Sequence, residues 1–317
     1  MTFTVTRGLG DVRSRPHPVA TIGNFDGHHR GHRSLLQTVV ARARESKGTA
    51  IVVTFDPHPV RVLAPHVELR FLTSPEEKLE RLKAAGVDEV VFLEFTPSLA
   101  SMTPEQFAQD VLHRHLHIAE LFVGEHFAFG KGRAGRIGDL QRFGSSLGFV
   151  VHSMSPVVLD GGVISSTRIR SLIQSGQMEA AARLLGRTYG ITGTVVSGAQ
   201  QGQALGWPTA NLRIPRERVI PPDGVYAARA SYDATSYDAV AYIGSRPTFG
   251  AGERLIEVNL LDHSDNLYGK AISVDFIEYL RGDRTFPSAQ QLAAQIAHDV
   301  DRAKASLRRY AEGMPQS

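Results

Sequence analysis

The sequence predicts an α/β domain built on a Rossmann-like parallel sheet, followed by a small all-β barrel with a terminal helix. Three observations predict it. The length of 317 residues is about twice that of an ordinary domain. Up to about residue 186, short apolar runs alternate with helical patterns, the texture of a parallel sheet covered by helices. From Thr188 to Leu280 the chain changes to short strands punctuated by Gly, Pro, Asn and Asp, which reads as an antiparallel barrel. The boundary near residue 186 divides the chain into domains of residues 1–186 and 187–317.

In the first domain, PVATIGNF (18–25), TAIVVTF (49–55), EVVFLEF (89–95), AELFVGE (119–125) and FVVHSM (149–154) are apolar throughout, as parallel strands covered on both faces are. Between them lie helical patterns. HRSLLQTVVARARESKG (32–48) closes with Gly48. SPEEKLERLKAAG (74–86) has a Ser cap, Pro75 in its first turn, acids early, lysine late and a terminal glycine. TPEQFAQDVLHRHLH (103–117) repeats the cap logic, and its alternating histidines read as a solvated helix end. In the second domain the strands are TYGITGTVVSG, GVYAARASY, DAVAYIG, LIEVNLLD and KAISVDFIEYL. The closing segment 288–310 places Leu292, Ile296, Val300 and Leu307 near helical spacing, so it packs on the barrel.

Composition excludes several classes. With no cysteine there is no disulfide, thiolate metal site or cysteine nucleophile. Lys and Arg number 35 against 32 Asp and Glu, too small an excess for a nucleic-acid groove or a polybasic membrane patch. The surplus lies in the first domain, with 21 basic and 18 acidic side chains, while the second holds 14 of each. The N-terminal stretch lacks the apolar core of a signal peptide, and no run approaches a membrane span. The reading is of a soluble cytoplasmic protein acting on small molecules, with a homo-oligomer left open.

GNFDGHHRGHR (23–33) follows the first strand and opens the first helix. Gly23, Gly27 and Gly31 let the backbone turn sharply and approach a ligand, and free N–H groups at the helix start favour an anion. His29 and His32 then face that anion. Two alternatives stay open on the residues alone: a solvated turn, and a zinc site from His28, His29 and His32. Near the end of the domain ISSTRIR (164–170) opens another helix, with hydroxyls and an arginine suited to phosphate oxygens or simply to an N-cap. GKGRAG (130–135) spells GxGxxG but follows no first strand, and GEHFAFGKG misses the P-loop spacing. This loop reads instead as glycine- and cation-rich, with Lys131, Arg133 and Arg136 beside phosphates. In the barrel, Gly198, Gly202 and Gly206 precede PTAN, where Thr209 and Asn211 alternate onto one side of an extended chain and can share a Mg²⁺. Glu257 lies in a strand, LIEVNLLD, that is otherwise mostly apolar.

HxGH paired with ISSTRIR resembles the nucleotidyltransferase superfamily. Together with GNFDG, TFDPHP (54–59) and FGKGRAG (129–135) it resembles, more specifically, the adenylyltransferase half of prokaryotic bifunctional riboflavin kinase/FAD synthetases. PTAN, PPDGVYAA (221–228), IGSRPTFG (243–250), EVNLLD, NLYGK (266–270) and RGDRTF resemble the riboflavin kinase module, in order. The resemblance implies riboflavin phosphorylation to FMN and FMN adenylylation to FAD, with ATP as co-substrate and Mg²⁺ as cofactor. It implies that Glu257 is the kinase base, that Thr209 and Asn211 hold the metal, and that His29, His32 and Arg168 act in adenylyl transfer. ATP phosphates are implied to meet Gly23, Asn24, Phe25, Asp26, Gly31, Lys131, Ser165, Ser166 and Thr167, and in the barrel Gly198, Gly202 and Gly206. Flavin is implied to meet Phe55, Pro57, His58, Pro59, His126 and Arg246. The sequence departs from the family pattern at His28, where a small apolar residue is commoner, and at His126, where an amide or acid is usual. Asn259 stands in place of a histidine, and Gln203 in place of a basic residue.

Overall fold

The computed structural model describes residues 2–10, 14–197, 207–245, 254–263 and 266–312. They form two compact units, 1–166 and 167–317.

The first unit holds strands β1 (Thr4–Arg7), β2 (Pro18–Ile22), β3 (Thr49–Asp56), β4 (Glu89–Glu94), β5 (Glu120–Gly124) and β6 (Val150–Met154), and the hairpin β7 (Val158–Leu159) and β8 (Gly162–Val163). Its helices are α1 (Arg30–Glu45), α2 (Pro59–Leu63), α3 (Pro75–Ala84), α4 (Pro97–Ser101), α5 (Pro104–Gln106) and α6 (Ile137–Leu147). Among the described residues the main sheet has six strands in the order β1-β4-β3-β2-β5-β6, all parallel. The apolar runs are continuous because alternate residues serve opposite faces. Ile51 and Val53 pack with Val111, Leu112 and Leu116 on one face, while Val52 packs with Leu36 and Leu82 on the other. Burying each such side chain is worth about 1.5–3 kcal/mol.

Helix α3 begins with the expected Ser74 cap, reciprocated by Glu77, and with Pro75 in its first turn. The helix expected over 103–117 is present, but beyond α5 it continues as a π-helix, Phe107–His115, with His113, His115 and His117 exposed as expected. Strand β1 was not foreseen. Its sequence TVTR is mostly exposed, and it is anchored to β4 by side chains: Thr6 Oγ1 donates to Glu89 Oε1 at 2.6 Å, and the buried Arg15 guanidinium forks onto the same carboxylate. Helix α6 was also missed.

The second unit takes up α7 (Ser166–Gln174) from its second residue, continues through α8 (Met178–Leu185), β9 (Tyr189–Val196), β10 (Ala210–Arg213), β11 (Gly224–Tyr232), β12 (Thr235–Ser245), β13 (Arg254–Leu260) and β14 (Ala271–Arg281), and ends in α9 (Ala289–Glu312). The strands form a closed antiparallel barrel in the order β10-β13-β12-β11-β14-β9. Small side chains at Ala227, Ala228, Ala230, Ala239 and Ala241 are fully buried and suit a narrow barrel. Helix α8 packs on β9 and β14, so α7 and α8 belong to the same compact unit as the barrel. In α9, Val300 and Leu307 enter the core as their spacing predicts, and Ala303 and Leu307 meet Val225, Ala227, Ile277 and Leu280. Leu292 and Ile296 line a cavity instead.

Candidate active sites

In the first unit the strand order reverses between β2 and β5, and open parallel sheets bind ligands outside the carboxyl ends of the strands at such a point. A cavity of about 280 Å³ lies there, lined by Gly23, Phe25, His29, Gly31 and His32 of the glycine turn and by His126 and Phe127 after β5. The turn is held from beneath. The carboxylate of Asp26 accepts the backbone N–H groups of Leu72 (3.0 Å) and Thr73 (3.2 Å) and the Thr73 hydroxyl (3.2 Å). Gly27 has φ +82°, and a Cβ there would sit 2.6 Å from Leu72 Cδ1, so only glycine fits. Asp26, expected at the phosphates, therefore spends its carboxylate on the turn itself. Ser166 likewise donates its hydroxyl to the Asp26 carbonyl at 2.8 Å, fastening the ISSTRIR segment to the turn.

His29 is the N-cap of α1, its Nδ1 accepting the His32 backbone N–H at 3.2 Å. The two imidazoles stack with centroids 3.6 Å apart and 17° between planes. Rings stacked in this way cannot both aim an in-plane lone pair at one ion about 2.0–2.1 Å away, which disfavours the zinc alternative. Among the described residues no group of three or more His, Asp or Glu could hold a metal. Burial first, then His29, His28 and Lys78, hold the His32 imidazole well below the usual histidine value, so it is neutral at pH 7. Its Nδ1 is buried with no hydrogen-bond partner, as is Asn24 Oδ1.

Other expected residues lie apart from this cavity. Phe55, Pro57, His58 and Pro59 sit at the carboxyl end of β3 and are absent from its lining. His58 caps α2, its Nδ1 accepting the Val60 N–H at 3.2 Å, and its ring meets Phe71 edge-on at 5.5 Å. Lys131 is exposed on a single 3₁₀ turn, Lys131–Arg133. Ser165 precedes α7, and Thr167 and Arg168 lie in its first turn, at the start of the second unit. Lys78 on α3, which sequence reasoning passed over, is coupled electrostatically to both Asp26 and His32. It reads in sequence as an ordinary helix-surface lysine.

In the barrel, Glu257 is 8% exposed and pairs in register with Asn211 of β10 on one side and Tyr242 of β12 on the other. A second cavity of about 280 Å³ opens beside it, between Trp207, Thr209, Tyr242 and Asn259 on one wall and Phe286, Leu292 and Ile296 on another. Arg281 grips Asp299 of α9 through three contacts of 2.8–3.1 Å, which holds the segment after β14 against the helix. Tyr242 hydrogen-bonds Asp283, and burial, then Asp283, pushes its hydroxyl up to about 12. A Cβ at Gly244 would collide with that hydroxyl, so the glycine makes room for the ring. The Asn211 Oδ1 is buried without a hydrogen-bond partner, an acceptor oxygen of the kind a hard cation takes. Tyr242 was missed as a wall residue, since only strand register brings it beside Glu257. Gly198, Gly202, Gly206, Gln203 and Arg246 lie outside the described residues.

A glycine turn at a parallel-sheet switch point and a buried carboxylate in a closed barrel, each beside its own cavity, are the arrangement of a two-domain nucleotide-dependent transferase, the class that comparisons with known proteins give. A sequence profile for FAD synthetase matches residues 12–168, and one for riboflavin kinase matches residues 185–307. The chain is 38% identical over 297 residues to the bifunctional riboflavin kinase/FMN adenylyltransferase of Escherichia coli (strain K12), covering 92% of this chain and 94% of that one. It is 38% identical over 308 residues to that of Pseudomonas fluorescens, covering 95% and 97%. The crystal structure of a macrolide-efflux protein from Streptococcus pneumoniae superposes with a TM-score of 0.87 at 30% identity, over 95% of this chain and 99% of that one. Among the described residues no helix is long and apolar enough to cross a membrane. The chain belongs to the bifunctional riboflavin kinase/FMN adenylyltransferase family.

Proposed function

We infer that the protein phosphorylates riboflavin to FMN in the barrel and adenylylates FMN to FAD in the sheet domain, using ATP in both reactions. The observation that carries this is the coincidence of each family match with its own cavity: FAD synthetase with the histidine turn, riboflavin kinase with Glu257. The working boundary is near residue 186. In its support, the two matches end at 168 and begin at 185. We place the protein in the cytoplasm, where its nucleotide is supplied.

In the kinase reaction the Glu257 carboxylate accepts the proton of the riboflavin 5′-hydroxyl as that oxygen attacks the γ-phosphorus of ATP, the bond to the β–γ bridging oxygen breaks and ADP leaves. A positioned base of this kind contributes roughly 10²–10⁴-fold. Thr209 and Asn211 would hold Mg²⁺, whose chemistry there is to offset phosphate charge. The orphaned Asn211 oxygen and the neutral donor set suit an ion that draws its other ligands from water and phosphates. The apolar wall of Phe286, Leu292 and Ile296 suits a flat ring system.

In the adenylyl transfer a phosphate oxygen of FMN attacks the α-phosphorus of ATP, and pyrophosphate leaves. A phosphate monoester is already ionised at neutral pH, so His29 and His32 act as donors to phosphate oxygens rather than as bases. The Ser166 hydroxyl donates to the Asp26 carbonyl, and the helix start of Ser165, Ser166 and Thr167, with Arg168, is assigned to the ATP phosphates on the strength of the ISSTRIR motif. Lys131 is assigned to the ATP phosphates, and the TFDPHP residues Phe55, Pro57, His58 and Pro59, with His126, to the flavin.

The test is to incubate the protein with riboflavin, ATP and Mg²⁺ and follow FMN, FAD and pyrophosphate by chromatography. FMN appears first, then FAD with pyrophosphate. Riboflavin binding with no ATP consumed would overturn the reading.

A further inference from the structure

The kinase wall contains a contact that neither the base nor the metal donors explain. The backbone ladder between β10 and β13 ends at the pair Ala210–Val258. One residue further along β13 stands Asn259, 9% exposed, and its Nδ2 donates to the carbonyl of Pro208 at 2.7 Å. Proline has no N–H and so cannot continue a ladder. The Asn259 side chain takes over where the backbone stops, its amide N–H pairing the Pro208 carbonyl.

The consequence falls on Thr209, the residue between that carbonyl and the strand. Asn259 and Glu257 are two apart on β13 and share a face, and Thr209 and Asn211 are two apart on the chain opposite. Strand pairing positions Asn211 against Glu257, while Thr209 lies beyond the last backbone pair.

We propose that Asn259 is a positioning residue of the kinase site, holding the Pro208–Thr209 segment by its amide N–H so that Thr209 is presented beside Asn211 to the nucleotide and its metal ion. The proposal deepens the kinase reading and rests on it for its kinetic part only. It predicts that a donor at position 259 governs ATP affinity and leaves the chemical step nearly alone.

The protein supplies its own reporter. Trp207, the only tryptophan in the sequence, directly precedes Pro208 and lines the same cavity. The experiment compares wild type with Asn259→Leu, which keeps the branched skeleton without the donor, Asn259→Ala, which removes it without adding bulk, and Asn259→His, whose ring N–H restores a donor. Tryptophan emission and acrylamide quenching are read on full-length protein without ligands, then kinase and adenylyltransferase kinetics on the same samples. In the Leu and Ala variants Trp207 becomes more accessible to quencher and the kinase KM for ATP rises about tenfold, with kcat and the riboflavin KM within about threefold of wild type. FAD formation from FMN is unchanged, as expected of a reaction in the other domain, and the near wild-type kcat and riboflavin KM show that the barrel itself is folded. The His variant returns both readouts toward wild type.

Unchanged Trp207 quenching in both the Leu and Ala variants would overturn the proposal, as would a His variant as impaired as they are. If wild-type protein makes no FMN, the kinase reading fails by itself, and the quenching series still decides whether Asn259 holds the Pro208 segment.

Discussion

His29 and His32 stack ring on ring at 3.6 Å while the His29 Nδ1 accepts the backbone N–H of His32 at 3.2 Å. That hydrogen bond requires an unprotonated Nδ1, so the neutral His29 carries its proton on Nε2 as a donor. The capping contact thus sets both the ring's orientation and its tautomer. Loss of one donor to a transferring phosphate costs about 3–4 kcal/mol. His32→Ala, assayed separately for FMN and FAD, should keep FMN production and lower FAD formation by about two to three orders of magnitude. Wild-type FAD formation in that variant would remove His32 from the mechanism.

The same burial makes ATP binding a proton-linked event. In the free protein the His32 imidazole is held neutral by burial and by its basic neighbours. A triphosphate beside it stabilises the charged form and raises its pKa, so a proton is taken up between the lowered and the raised values. Calorimetric titration of ATP near pH 6.5 in two buffers of different ionisation enthalpy should give different apparent heats. His32→Gln should abolish the difference. Equal heats in the wild type would show that His32 does not meet the phosphates.

Glu257 is buried between Asn211 and Tyr242. Glu257→Gln keeps the shape and removes the base, so riboflavin phosphorylation should fall roughly 10²–10⁴-fold while FMN adenylylation is spared. Rates for the two half-reactions, with riboflavin and with FMN supplied, check it. Equal loss of both would point to a folding defect instead.

Away from both cavities, at the amino end of β5, Glu120 is 3% exposed and accepts from Arg42 Nε (2.9 Å), His17 Nε2 (2.7 Å) and His152 Nε2 (2.9 Å). Burial works to raise its pKa, but these donors outweigh it and bring the carboxyl down to about 2. A carboxyl lowered from 4.5 to about 2 contributes on the order of 3 kcal/mol of stability. The contribution is present above the unfolded-state value and is lost as pH falls from about 5 through 2. Urea unfolding followed across that range should show wild type losing this stability and Glu120→Gln, already less stable at neutral pH, losing correspondingly less.

The apolar strands β2 to β5 were legible because burial on both faces leaves a run that no surface helix or loop shows. Helix α3 was legible from its cap, and the burial of Glu257 from its place in a mostly apolar strand. Strand β1 was not, since TVTR carries no apolar signal and is anchored through Glu89 to a guanidinium eight residues after its end. Asp26 and Ser166 were expected at the phosphates, but their contacts turn inward to Leu72, Thr73 and each other.

The sequence by itself determined the fold class of each part, because periodicity, capping and glycine-bounded motifs are local properties of the chain. Only the tertiary structure decided which side chains of those motifs reach a cavity and which brace it. The pairing of Asn211 and Tyr242 with Glu257, the bond from Asn259 to Pro208, and the neutrality of His32 depend on strand register and burial. Those arise between segments tens of residues apart, where no local pattern records which side chains will meet or how much water remains between them.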